Sequence, residues 1–323
     1  MADRPLSLPR AMWKALRPHQ WVKNILVFGG LAFTGRWHEA TGGTAMARPV
    51  SWHALGHACA AFAIFSLLSS GGYLVNDLRD READRQHPTK CRRPIASGAL
   101  PVSLARLAAA LLFVVGLGWS WALSQRGGGT RGFLTTAVAY VLLTNGYSFG
   151  LKKFVIVDVL CIAVLFVLRA VAGCWVIPEQ PSPWIVVCTF FGALFIALCK
   201  RRGELVAMGD AGDTRSVLAK YHTSEAHAAL LLDQMIQVAA TATILTYSLY
   251  TFFRPTEIGM KQEQSGLMLT IPFVVYGVLR YIYLVHKRDI GEKPERLFAD
   301  QGMLINLAAW AITVVYVTRG RNL

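Results

Sequence analysis

The run FAIFSLLSSGGYLVNDLRDREAD, residues 62–84, decides how the chain is read. It begins with Phe62-Ala63-Ile64-Phe65-Ser66-Leu67-Leu68, too apolar for an ordinary surface. It ends in Asn76-Asp77-Leu78-Arg79-Asp80-Arg81-Glu82-Ala83-Asp84. Continued as one helix, it puts Asp77, Asp80 and Asp84 at i, i+3 and i+7, on one face. Like charges so spaced repel by about 0.2–0.5 kcal/mol per neighbouring pair. Such a row makes sense in front of a cation. Oxygen-only ligands suit Mg²⁺, which binds through one or two carboxylates together with substrate phosphates. His87-Pro88-Thr89-Lys90-Cys91-Arg92-Arg93-Pro94-Ile95-Ala96-Ser97-Gly98 follows at once, and its Lys90, Arg92 and Arg93 suit phosphate oxygens. The pattern predicts a site for a magnesium-chelated, phosphorylated substrate at a membrane boundary. A solvated helix end of mixed charge is the simpler account. It explains neither the shared face of the acids nor the block of bases.

Working outward, the whole chain has this character. It has 323 residues, 54% hydrophobic and 16% charged, where a soluble domain is nearer a quarter charged. Long apolar stretches recur from about residue 21 to 318, which predicts an all-α, polytopic membrane protein. Residues 1–20 are basic and contain proline, with no short apolar core before a small-residue cleavage site, so no secretory signal is expected there. The six cysteines form no CxxC, and neither a zinc site nor a disulfide framework is expected.

The apolar runs cover about 21–36, 53–76, 101–125, 132–150, 154–176, 184–199, 228–253, 267–286 and 301–318, giving about nine transmembrane helices. The expected organisation is a basic segment 1–20, one transmembrane catalytic domain 21–318 with polar loops at about 77–101 and 200–227, and a short tail 319–323. With the N-terminus inside, the inside segments hold 22 Lys and Arg and the outside segments 8. That bias places the N-terminus and every loop with candidate chemistry in the cytoplasm, and the protein in the inner (plasma) membrane. It also accounts for the net charge of +14, so no nucleic-acid partner is expected.

Other residues extend the candidate site. Arg169 falls well inside the fifth run, where an arginine by default lines a polar cavity or site. Asp158, shortly beyond Lys152-Lys153, admits two roles, pairing with those lysines or binding substrate. Tyr147 and Lys152 stand where the fourth run leaves the membrane, able to hold a ribose or phosphate or simply to anchor the boundary. Lys200, Arg201 and Glu204 end the sixth run, and Lys200 with Glu204 has the spacing of a helical ion pair. Lys23, in the short first run, is within reach of the same pocket. Arg106 and Arg280, nearer run ends, read as anchors.

The segment Asn76–Gly98 resembles the UbiA superfamily of intramembrane prenyltransferases, whose first signature is NDxxDxxxD. The resemblance covers nearly the whole chain. Within that superfamily it is closest to the branch of mycobacteria and their relatives that transfers phosphoribose to decaprenyl phosphate for arabinogalactan synthesis. The closer match is carried by Arg17-Pro18-His19-Gln20-Trp21-Val22-Lys23-Asn24, His87–Lys90 with Arg92–Gly98, Tyr147-Ser148 with Leu151-Lys152-Lys153, Lys200-Arg201 with Glu204, and Lys293-Pro294-Glu295-Arg296. Superfamily members that ionise a prenyl diphosphate carry a second aspartate-rich motif after the sixth span. Here that place holds Lys200-Arg201-Arg202-Gly203-Glu204, and the following Asp210 and Asp213 do not rebuild a second row of acids.

The resemblance implies a glycosyltransferase with 5-phosphoribosyl diphosphate as donor, decaprenyl phosphate as acceptor, and Mg²⁺ on Asp77, Asp80 and Asp84. Asn76 would orient the metal ligands or donate to substrate. Lys90, Arg92, Arg93 and Lys152 are candidates for the donor's phosphates, and Lys153 is a further substrate-binding candidate. Lys23, Arg169, Lys200 and Arg201 are candidates to draw two anions together. A homo-oligomer, such as a trimer, is a further implication. The rival enzyme reading moves a polyprenyl chain from its diphosphate to an aromatic acceptor. A transporter of phosphorylated solutes would need charge at the membrane midplane, whereas these charges cluster at one boundary.

Overall fold

A computed structural model describes residues 7–33, 52–87, 89–125, 131–177, 179–209, 225–253, 266–288 and 300–319. Pro88, Trp37, Asp210, Asp213, Tyr221, His222 and the Lys293–Arg296 motif lie outside them. Every regular element among the described residues is helical. The chain divides into two compact units, Met1–Ser182 and Pro183–Leu323.

In the first unit, α1 (Leu8–Leu16) is short and amphipathic. Its Ala11 and Ala15 are buried with Leu74, Ile95, Leu100, Ala105 and Ala109, while Arg10, Trp13 and Lys14 are exposed. Arg17 then takes a left-handed conformation (φ 54°, ψ 58°), and Pro18 opens a 3-10 segment, Pro18–Phe28, that runs into α2 (Gly29–Phe33). Pro suits that first position because its fixed φ is already helical and its missing N–H would have no partner. The helix α3 (Trp52–Arg79) packs against the 3-10 segment, α5 (Val102–Gln125) and α6 (Arg131–Phe149). It is the inner element: 61% of its apolar window is buried, against 17% for α5. Between α3 and α5 lies α4 (Arg81–Gln86). The last helix, α7 (Val155–Trp175), packs against α6, α2 and the 3-10 segment.

Two close approaches rest on glycine. A Cβ on Gly173 would fall 1.9 Å from the Val27 carbonyl oxygen, and one on Gly72 would fall 2.4 Å from Thr144 Cγ2. Small residues are how membrane helices bring backbones together without an apolar-solvation drive. Helix α3 offers Ser66, Ser69 and Ser70 as a polar row to Trp21 and Asn24 of the 3-10 segment.

In the second unit, α8 (Pro183–Gly209) pairs with α9 (Glu225–Phe253), and α10 (Ile271–Arg288) packs against α9 and α11 (Gln301–Arg319). Asp300 caps α11 by accepting from the Met303 N–H at 3.0 Å. Arg280 donates to both oxygens of the same carboxylate at 3.2 and 3.0 Å, so this arginine is a helix-to-helix tie and not merely a boundary anchor.

Six helices are long and apolar enough to cross a membrane among the described residues, three in each unit. The expectation of about nine exceeds this count. The first run is broken into a 3-10 segment and a five-residue helix, because Pro18 and the buried polar Asn24 interrupt a regular apolar face. The fourth run forms α6, whose Thr135, Thr136, Thr144 and Asn145 dilute its apolar content. The ninth forms a shorter apolar stretch, Gln301–Val317. The expected polar loops are also more ordered than loops. Helix α3 continues through Arg79, α4 follows, and α8 runs on through Gly209.

Candidate active site

The acids of residues 77–84 do not share one helical face. Helix α3 stops at Arg79, Asp80 sits at the break (φ −88°, ψ 1°), and α4 restarts at Arg81. Backbone bonds bridge the break, from the Asp80 N–H to the Asn76 carbonyl at 2.9 Å and from the Asp84 N–H to Asp80 at 2.8 Å. The bend parts Asp80 from the other two acids. Asp77 and Asp84, both buried, converge on one nitrogen: Arg93 Nη1 donates to Asp77 Oδ1 at 3.1 Å and to Asp84 Oδ2 at 2.7 Å. Asp80 turns to Lys152, whose Nζ lies 2.5 and 2.6 Å from its two oxygens and also donates to Asn76 Oδ1 at 3.0 Å.

A third cation was not singled out by sequence. Arg17 Nη2 donates to Asp77 Oδ1 at 2.6 Å, across 60 residues of chain, and its guanidinium lies 5.1 Å from the Tyr73 ring centre. Arg17 is the one non-glycine residue with positive φ among the described residues. Such a conformation costs about 1–3 kcal/mol and persists only where the surroundings over-determine it. Here they do. Ser70 Oγ donates to the Leu16 carbonyl at 2.9 Å and accepts from Trp21 Nε1 at 3.0 Å, and Asn24 Nδ2 donates to Ser66 Oγ at 3.1 Å. The signal available in sequence was the serine spacing 66, 69, 70, which puts three hydroxyls on one side of an apolar helix.

Three acids and three bases make the cluster formally neutral. A buried carboxylate such as Asp77 is tolerable only when paired, and removing its partners would strand a charge. The turn that delivers Arg93 is itself firm. Ser97 N–H reaches the Arg93 carbonyl at 2.8 Å, Leu100 N–H reaches Pro94 at 2.9 Å, and Ile95 and Leu100 are buried. Gly98 has φ 81°, which a side chain would strain. Within the same turn Lys90 is half-buried and Arg92 exposed.

The remaining expected residues separate into three groups. Asp158, buried at the start of α7, accepts from Tyr147 Oη at 3.0 Å; of its two open roles, pairing with Lys152 is not the one seen, since Lys152 is on Asp80. Lys153 is exposed and Lys23 half-buried. Arg169 is buried and surrounded by neutral acceptors. It donates to Asn24 Oδ1 at 2.8 Å, the Leu165 carbonyl at 2.8 Å and Tyr140 Oη at 2.6 Å, with the Tyr140 ring 4.8 Å away. That network ties α7 and α6 to the 3-10 segment, a positioning job for an arginine within the bundle. In the second unit, Arg201 pairs with Glu204 within α8, and Lys200 Nζ lies 3.8 Å from Glu204 Oε1. Arg202 reaches Asp233 of α9 at 3.1 Å, and His286 of α10 lies 3.2 Å from the same oxygen.

The donor set at the α3–α4 break is all oxygen, and two of its carboxylates already converge on a single cationic nitrogen. Asp77 and Asp84 therefore fit a small divalent cation that takes its remaining ligands from water and substrate phosphate. Asp80 is directed elsewhere, and among the described residues no group of three His, Cys, Asp or Glu converges closely enough to hold a metal by itself.

A model of the UbiA prenyltransferase family matches residues 39–308. A decaprenyl-phosphate phosphoribosyltransferase of Mycobacterium tuberculosis is 34% identical over 311 residues, covering 96% of this chain and 95% of that protein. Its counterpart in Corynebacterium glutamicum is 33% identical, covering 96% and 87%. A UbiA homologue from Archaeoglobus fulgidus, solved bound to GPP and Mg²⁺, aligns over 97% of this chain and 98% of that one at 18% identity with a TM-score of 0.64, a likeness of fold. An apolar helical bundle with an Asn-Asp signature at the end of its inner helix, matched over most of its length, has one classification: the chain belongs to the UbiA prenyltransferase family.

Proposed function

We propose that the protein is a membrane phosphoribosyltransferase that moves the 5-phosphoribosyl group from 5-phosphoribosyl diphosphate to decaprenyl phosphate. The observation that carries this is the one-third identity to decaprenyl-phosphate phosphoribosyltransferases along nearly the full length of both chains. The charged cluster supports it. Asp77 and Asp84 would hold Mg²⁺, with Asp80 acting on it through water or on Lys152. When bound, the ion neutralises charge on the departing diphosphate. Arg93, Lys152 and Asn76 bind and orient the donor's phosphates, with Lys90, Arg92 and Lys153 nearby in sequence to extend the basic surface. Tyr147 and Asp158 form a hydroxyl–carboxylate pair suited to the ribose.

The bond from ribose C1 to diphosphate breaks and the electron pair leaves with diphosphate. A phosphate oxygen of the lipid forms the new bond to C1. The lipid phosphate is an anion near neutral pH, so no general base is required. The cations' task is to bring two anions within reach of each other. Arg169 and Lys23 serve this through the 3-10 segment, and Lys200, Arg201 and Glu204 are assigned to substrate from their motif alone. We further assign about nine spans, a plasma-membrane location with a cytoplasmic site, and a homo-oligomer, such as a trimer, in service of arabinan cell-wall synthesis.

The test offers purified protein labelled phosphoribosyl diphosphate and decaprenyl phosphate, with and without Mg²⁺. A labelled lipid formed only with the metal supports the assignment. Consumption of a prenyl diphosphate with an aromatic acceptor, and no phosphoribosyl transfer, would replace it with the prenyltransferase reading.

A further inference from the structure

Asp77 Oδ1 carries two guanidinium donors at once, Arg17 and Arg93. A divalent cation at that oxygen competes with both donors. The two donors differ in freedom. Arg93 belongs to a turn closed by its own backbone bonds and seated on buried Ile95, and it also holds Asp84. Arg17 is held by main chain on one side, through Ser70 and the Leu16 carbonyl, while its side chain reaches Asp77 along the Tyr73 ring. It can swing from the carboxylate to a neighbouring anion and keep its contact with that ring face, which attracts cations.

We propose that Arg17 is a substrate-binding residue of the exchange type: it neutralises Asp77 when the site is empty, and moves to a phosphate of the donor when a divalent cation takes its place on Asp77. The inference rests on the functional reading above for the identity of the anion. The cluster is balanced without ligand, so a cation bound at Asp77 frees positive charge and the incoming diphosphate accepts it. Arg17 thereby makes metal and donor binding mutually dependent, because each is weaker while the guanidinium stays on Asp77.

Full-length protein in detergent is titrated with Mn²⁺ alone, followed by electron paramagnetic resonance, for the native chain, Arg17→Gln, Arg17→Lys and Asp77→Asn. Removing the competing cation should tighten Mn²⁺ in Arg17→Gln by about threefold or more, a loss of at least one charged competitor. The same variant should raise KM for phosphoribosyl diphosphate by roughly tenfold or more, the effect of losing a charged hydrogen bond. Arg17→Lys, which keeps the charge and the fold, should leave Mn²⁺ affinity near native and raise KM less. Unchanged or weaker Mn²⁺ binding in Arg17→Gln overturns the exchange, as does an unchanged donor KM. Equal Mn²⁺ binding by the native chain and Asp77→Asn overturns both the exchange and the metal's position. Failure of the native chain to transfer phosphoribose overturns the functional reading and the phosphate half of this proposal. The Mn²⁺ comparison, which needs no substrate, still decides whether Arg17 competes for Asp77.

Discussion

The two charged motifs of this chain look alike in sequence and are built oppositely. At the α3–α4 break, two of the three acids find a cation from far away in the chain: Arg17 reaches Asp77 across 60 residues and Lys152 reaches Asp80 across 72. At the end of α8, Arg201 and Lys200 meet Glu204 within a single turn of one helix. The first arrangement exists only if the bundle is assembled. The second would form in an isolated helix, where such pairs contribute a few tenths of a kcal/mol. Buried carboxylates, long sequence separation and a strained backbone at Arg17 coincide in the first, whereas the pairs that Lys200 and Arg201 make with Glu204 are local to one helix. That contrast separates a tertiary cluster from a local helical pairing better than the count of charges does.

The largest expected effect is at Asp77. Asp77→Ala leaves Arg17 without its carboxylate and Arg93 with Asp84 alone. It should abolish measurable transfer in the labelled-lipid assay and lower stability by about 3–5 kcal/mol, the usual result of breaking a buried pair. A denaturation curve near native would break the comparison. Next comes Lys152→Met, which frees the partly exposed Asp80 and removes a phosphate donor. Transfer should fall by about 10–100-fold, with most of the change in KM for the donor, since a hydrogen bond to a charged group contributes about 1.5–3 kcal/mol. A double-mutant cycle on Arg17 and Asp77, read by denaturation, should give a coupling of about 1 kcal/mol or more, within the 0.5–3 kcal/mol seen for residues in contact. The same cycle on Arg201 and Glu204 should give no more than about 0.5 kcal/mol. Equal couplings in the two cycles would erase the distinction drawn here.

Glycine offers an independent check on how the first site is held. Gly173→Ala drives a methyl group into the Val27 carbonyl, so the 3-10 segment that follows Arg17 must shift. The expected cost is about 1–3 kcal/mol, as for overpacking elsewhere, together with reduced transfer although no charged residue has changed.

Much of the site was legible before any fold was known. Asp77, Asp84, Arg93 and Lys152 were each identified by residue type and spacing, because a row of acids followed by a block of bases is costly unless it serves an anion and a cation. Arg17 was quoted only as part of a family motif. Its role was not legible because its partner is 60 positions away and the contact depends on a left-handed backbone that no local pattern demands. Arg169 illustrates the opposite case. An intramembrane arginine pointed to substrate, and its donors reach Asn24, Tyr140 and a backbone carbonyl instead. A sequence shows that such a charge needs partners, but not that neutral ones will suffice.

By itself the sequence determined that this is a helical membrane protein of the UbiA family with a row of acids and then a block of bases at the end of an apolar run. Apolar length and the order of charged residues are local properties, and they are written in the chain directly. Only the tertiary structure decided which cation meets which acid, and that α3 ends at Arg79 so that Asp80 parts company with Asp77 and Asp84. Those outcomes depend on packing distances between helices, set by small residues such as Gly72 and Gly173 and by the serine row of α3, and no one-dimensional spacing encodes a distance across a bundle.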